Sequence, residues 1–452
     1  MLASPTFFKT SQGLIVKKGI VVLLVLLAVV VLVSPAIVGR LAEQSMDDNL
    51  NWAASESGDV RVTSEHFTRG WFSSEGQHRV ELQEGDLLTA LQALTGPMPA
   101  QDLPVLIINT RLDHGLIPVT SMGRDKGSLA PGLGSAISTM QVELPGGELV
   151  DVPGTIYSKV ALGGQLRSNY VLETGSRSED DVSASWGNVD INVTTDPTTG
   201  AIEFDGSLAS LSLETDKEFM SLDSLSFDGR KNPTRFGVSV GDIDLALENL
   251  SIDSGMGNGA RVTRLAATGS SALDGDRLNA EGRASMAMDA LPLGAVSYEM
   301  DFSLDGVDAA AMGALQAKIT EMNAAPDPMS VYATVEPDAQ RLFAAGFDFN
   351  IDRLEVALPQ GTISLVMRFS FAEADAASFD WSSLLLNTEA SIDLSAPAEL
   401  VETFATDNPQ AAMVIGGGYL SKRGEVYVTE ARLKKGLLTV NGAPIPIPLG
   451  AM

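Results

Sequence analysis

The sequence predicts an α+β protein, mainly β: an N-terminal transmembrane helix, then a long antiparallel, strand-rich body with a few helices in its C-terminal third. Three observations carry this. Residues 19–33 are apolar without a break, and no charge falls between Lys18 and Arg40. From about residue 59, apolar side chains alternate with Asp, Ser, Glu, Asn and Thr at a period of two, the pattern of strands with one wet face. Beyond residue 306 that alternation is interrupted three times by helical spacing.

The span comes first. As a helix, residues 19–39 would cover about 30 Å at ~1.5 Å of rise per residue, the thickness of a bilayer's hydrocarbon core. Lys9, Lys17 and Lys18 precede it and Glu43, Asp47 and Asp48 follow it. That basic excess predicts a cytoplasmic N-terminus over residues 1–18 and a body on the far side of the membrane. Ser34-Pro35-Ala36 also offers small residues where a signal peptidase reads, so cleavage is the alternative. Both readings put the body outside the cytoplasm. Residues 40–58 read as a polar stalk.

A strand-rich region is expected over residues 59–305. The clearest alternations are Val189/Ile191/Val193, Ile202/Phe204, Phe236/Val238/Val240, Ile243/Leu245/Leu247 and Tyr298/Met300/Phe302/Leu304. Gly, Asn and Asp punctuation at 196–200, 228–230 and 273–276 predicts hairpin turns between strands.

An α+β region is expected over residues 306–452. Helices are predicted near 308–324, stopped by Pro326 and Pro328; near 337–346, between Pro337 and Gly346; and over 397–415, with Asp407 or Asn408 capping a second helix that opens on Pro409. A hairpin turns at Pro359-Gln360-Gly361, and a closing hairpin turns at Lys434-Lys435-Gly436. The tail Ala443-Pro444-Ile445-Pro446-Ile447-Pro448 suits a terminal extended segment.

Composition removes whole classes of function. Lys and Arg total 30 against 58 Asp and Glu, a net charge of −28, which disfavours nucleic acid and anionic lipid surfaces as partners of the body. With no cysteine there are no disulfides, iron–sulfur clusters, thiol nucleophiles or cysteine zinc sites. Gly237-Val238-Ser239-Val240-Gly241 matches G-x-S-x-G literally, but Ser239 lies in an alternating strand and every histidine precedes it, the wrong order for that triad. Gly255–Gly259 reads as a turn, and Glu179-Asp180-Asp181 as a solvated loop.

The chain has three histidines, His66, His78 and His114, all between residues 66 and 114. Histidine is the usual neutral-pH proton carrier and metal ligand, so the concentration raises a catalytic reading built on His66, Asp113 and His114. The favoured reading is structural. His66, Arg69, Trp71 and Phe72 are expected to pack and hydrogen-bond where two early strands meet around Gly70, with His66 facing His114 across the sheet. No catalytic residue, metal or cofactor is expected.

The segment His66-Phe67-Thr68-Arg69-Gly70-Trp71-Phe72-Ser73-Ser74 and the later Asp113-His114-Gly115-Leu116-Ile117-Pro118 resemble two motifs of the YdgA/YihF-like family of bacterial envelope proteins, a domain of unknown function. Arg69, Gly70, Phe72, Ser73, Ser74, Asp113, His114, Gly115 and Pro118 match, whereas Leu116 stands where the family typically has proline. The resemblance implies a single-pass inner-membrane protein of Gram-negative bacteria with a periplasmic body and no established reaction. The expected function is non-enzymatic: an amphipathic sheet whose apolar face holds lipid or acyl chains, by analogy with AsmA-like lipid-transfer proteins. An envelope scaffold that binds other proteins is the alternative, and an enzyme at the histidines the last.

Overall fold

The computed structural model describes residues 60–69, 73–83, 103–114, 132–144, 146–179, 182–215, 219–253, 259–290, 294–324, 328–375, 379 and 381–446. Residues 19–39 lie outside this set; among the described residues no helix is long and apolar enough to cross a membrane. The chain divides into two compact units between Lys217 and Glu218.

The first unit is built from strands alone among its described residues: β1 (Val60–Arg69), β2 (Ser73–Leu82), β3 (Val105–His114), β4 (Gly132–Glu143), β5 (Leu149–Ala161), β6 (Leu166–Leu172), β7 (Gly175–Glu179), β8 (Val182–Trp186), β9 (Val189–Thr195), β10 (Ile202–Leu208) and β11 (Leu211–Thr215). β1 to β6 pair antiparallel in sequence order, followed by β9 and β10. β7, β8 and β11 form a narrower antiparallel strip.

Alternation decides which face of this sheet is dry. Val62, Val80, Leu106 and Val142 stand in one cross-strand row and are each 5 % exposed or less. The predicted turn at 196–200 joins β9 to β10. Asp196 accepts the amides of Thr198 (2.8 Å) and Thr199 (3.4 Å), and the Thr198 amide foremost holds its carboxyl below the usual range.

The second unit contains β12 (Phe219–Leu222), β13 (Ser224–Pro233), β14 (Ser239–Asp253), β15 (Gly259–Asp274), β16 (Arg277–Ala290), β17 (Gly294–Asp308), α1 (Ala309–Ala324), α2 (Pro328–Ala344), β18 (Phe347–Leu358), β19 (Gly361–Phe371), α3 (Trp381–Asn387), β20 (Thr388–Pro397), α4 (Ala398–Asp407), α5 (Pro409–Gly416), β21 (Ser421–Arg423), β22 (Val426–Lys434), β23 (Leu437–Val440) and β24 (Ala443–Ile445). Strands β13 to β20 pair antiparallel in sequence order, and β22, β23 and β24 continue the sheet. The body is therefore a mainly antiparallel β structure with five helices among its described residues.

One end of this sheet is closed by α1 and α2. Asp308 accepts the Ala311 amide at 2.7 Å, the side-chain bond expected at a helix start. Val238, Leu278 and Val307 then bury against Ala309, Ala311 and Leu342. Arg277 fastens the same corner: its guanidinium donates to the carbonyls of Gly306 (3.0 Å), Ala345 (2.9 Å) and Gly346 (3.3 Å). Phe343 meets Phe371 edge-on at 5.1 Å and Trp381 at 5.7 Å between ring centroids.

Several sequence expectations change. Residues 228–230 are no turn: they lie inside β13, where Asp228, Gly229 and Arg230 pair with Asp244, Ile243 and Asp242. Cross-strand pairing there outweighs the local Asp-Gly signal. Phe236 sits in the turn before β14. The helix expected to open at Pro337 begins at Pro328, the position where proline's missing amide is harmless, and carries Pro337 in its interior. α3 was not foreseen, because Trp381–Asn387 is only seven residues long, too short to display a helical period.

Candidate functional site

The motif residues are distributed along β1, β2 and β3. His66 is exposed and its Nε2 lies 2.9 Å from the Thr68 hydroxyl in its own strand. Its backbone pairs with Gln77, and Gln77 pairs with Asn109, five residues along β3 from His114. Five residues of strand span about 17 Å, so the register does not bring His66 to His114. The expected contact between them is replaced by the local Thr68 bond.

Asp113 pairs with Ser73, and its carboxylate lies 3.7 Å from the Arg111 guanidinium, itself largely exposed. Ser74 is 1 % exposed and pairs with Leu112. His114 ends β3, where its backbone pairs with Gly134. Gly70, Trp71, Phe72, Gly115 and Pro118, with the side chains of Arg69, Ser73 and His114, lie outside the described residues. Among the described residues no three His, Asp or Glu side chains group as metal ligands.

The unusual histidine is His78, which the motif does not include. It is 1 % exposed, and neither Nδ1 nor Nε2 has a hydrogen-bond partner among the described residues. Burial holds its pKa below the ordinary histidine value. The signal for this position is in the sequence: His78 is in phase with Val80 and Leu82, so a polar ring occupies an apolar slot.

A larger feature spans the second unit. In the register from β14 to β20, every cross-strand row on one face is apolar or small. One row runs Leu245, Ala267, Ala284, Met300, Leu354, Leu365 and Leu394; the next runs Ile243, Gly269, Gly282, Phe302, Ile351, Met367 and Ile392. The opposite face carries the charges, many joined across strands: Arg283 to Asp301 (3.8 Å), Arg353 to Glu299 and Glu355, Arg432 to Asp393 (2.6 Å) and Lys434 to Glu389 (2.9 Å). These pairs are solvent-exposed, so each contributes little stability. Their effect is to fix which face is wet.

The apolar face is covered incompletely. Among the described side chains, no apolar one of β15, β18 or β19 reaches full burial, and in β16 and β17 only Leu278 and Val307 do, both at the end closed by α1 and α2. Ile243 is 51 % and Phe302 36 % exposed in the middle of the sheet. Between them, β15 and β16 contribute Ala267, Gly269, Ser271, Ala280, Gly282 and Ala284, a floor lower than its flanks. From β14 to β23 the face crosses eight strand spacings of about 4.8 Å, roughly 38 Å. An uncharged, half-exposed surface of that width exceeds the scattered apolar residues of ordinary protein surfaces.

A family model described as a bacterial protein of unknown function, DUF945, matches residues 16–448, nearly the whole chain. The chain belongs to the DUF945 family. No curated protein and no solved structure matches it. DUF945 membership brings no reaction with it, so the function of this DUF945 protein has to be argued from its own surfaces.

Proposed function

We propose that the protein is a non-enzymatic, membrane-anchored carrier or holder of lipid, with acyl chains lying on the apolar face of β14–β20. Within DUF945 it would be one of the YdgA/YihF-like envelope proteins, anchored in the inner membrane by residues 19–39 with its body in the periplasm. The observation that carries this reading is the row of Ile243, Gly269, Gly282 and Phe302, uncharged and partly open to solvent in the middle of a wide sheet.

The physical argument is one of matching surfaces. Hydrocarbon gains about 0.8 kcal/mol per methylene removed from water, so ten methylenes on this face would contribute roughly 8 kcal/mol before the cost of ordering the chain. One leaflet's depth of hydrocarbon is about 15 Å, half of the bilayer core, and fits within the width of the face. The acidic outer face keeps the body soluble and gives anionic headgroups no reason to bind there.

The test is lipid extraction and mass spectrometry of the full chain purified in mild detergent. Phospholipid or free acyl chains retained in stoichiometric amount are expected. Lipid-free protein, whose second unit resists proteolysis equally with and without added phospholipid, contradicts the reading.

A further inference from the structure

The lipid reading makes no use of His78. It stands on β2 between Ser64 of β1 and Ile108 of β3, on the face that carries Val62, Val80, Leu106 and Leu112. A neutral imidazole has one donor and one acceptor, and here both are 1 % exposed with no partner among the described residues. An unmet polar group in such a place already works against folding, and a charged one works against it much more.

Among the described residues, the surroundings offer a proton no compensation. Thr110 on the same face is occupied by Ser138, at 2.7 Å. Arg61, Glu65, His66, Glu75, Arg79, Glu81, Arg111 and Asp113 all fall on the opposite face of β1–β3, where Arg79 is held by Glu143, Glu81 and Glu65. Tyr170 of β6 shares this face, but its hydroxyl donates to the Pro153 carbonyl at 2.9 Å, and within β1–β3 two further ionisable residues share the phase of His78. The backbone of Arg69 pairs four residues along β2, about 13 Å away, and His114 lies six residues along β3, about 20 Å away.

We propose that His78 is an acid-sensitive lock in the first unit: the packing of β1–β3 requires its ring neutral, and protonation opens those strands. The sign follows from burial. The unfolded chain takes up the proton near pH 6.5, while the folded chain takes it up only at lower pH. Folded β1–β3 therefore loses ground as pH falls through that window, by up to tenfold in the opening equilibrium per pH unit, and is unaffected above it.

The experiment is backbone hydrogen exchange read by mass spectrometry on the full chain in detergent, between pH 7.5 and 5, corrected for the intrinsic pH dependence of exchange. Protection in Val60–Arg69, Ser73–Leu82 and Val105–His114 should fall below about pH 6.5 in the wild type and in His66→Gln. It should stay level in His78→Leu. Protection that does not change with pH in the wild type, or a fall of equal size in His78→Leu, overturns the proposal. Should His78→Leu not fold, an NMR titration of the imidazole C2 protons decides, with His66→Gln and His114→Gln supplying the assignment. The His78 ring should titrate below the ordinary histidine value of 6.5, and titration at or above that value overturns the proposal.

Discussion

The ring of Phe302 occupies the space above Gly282, its cross-strand partner: a Cβ built on Gly282 would collide with the ring. A side chain that would otherwise stand up from the sheet instead fills a gap in its floor. Gly282→Ala should lift Phe302 and destabilise the second unit by about 1 kcal/mol, since a 36 % exposed ring has room to move. Gly241→Ala should be worse, by about 3 kcal/mol or more, because its Cβ would strike the Arg230 carbonyl in the backbone of β13. Denaturant unfolding of the two variants checks the order.

Arg277 holds three carbonyls at the corner where β17 and α2 end. All three bonds come from one guanidinium nitrogen, Nη1, and a lysine ammonium also carries its three donors on one nitrogen. Arg277→Ala should cost about 1–3 kcal/mol by thermal or denaturant unfolding, and Arg277→Lys should recover part of that loss.

Leu342 and Leu437 separate packing from mere hydrophobicity. Leu342 is 7 % exposed in the cluster under α1, whereas Leu437 is 58 % exposed. Leu342→Ala should cost about 2–4 kcal/mol. Leu437→Ala should stay within about 0.5 kcal/mol.

Ile243→Glu tests function apart from folding. Half of that side chain already meets water, so the carboxylate can remain solvated and unfolding should change by about 1 kcal/mol or less. Lipid retained by the purified protein should fall severalfold, because hydrocarbon lying over Ile243 would desolvate the charge.

Legibility from sequence followed the strength of local periodicity. β17 was plain because Tyr298, Met300, Phe302 and Leu304 alternate with Glu299, Asp301 and Ser303. α1 was plain because an Ala-, Leu- and Met-rich run ends before prolines. β13 was misread at Asp228-Gly229-Arg230, where pairing with β14 and not local conformation decides the structure. At the candidate site, the alternation of each strand was visible, but the lateral order was not. Only the pairing of β14 through β20 shows that the apolar positions form one continuous face, and that its middle is half open. His78 is legible only through its phase with Val80 and Leu82, a property of strand alternation and not of histidine's scarcity in the chain.

Asp301 and Phe302 are neighbours on β17, one joined to Arg283 on the charged face and the other in the apolar row. Photo-crosslinking in cells with a diazirine amino acid placed at either position tests the central claim directly. Crosslinked lipid from position 302 and none from position 301 is the predicted result. No lipid from position 302, or equal yields from both, would contradict the assignment of this face to acyl chains.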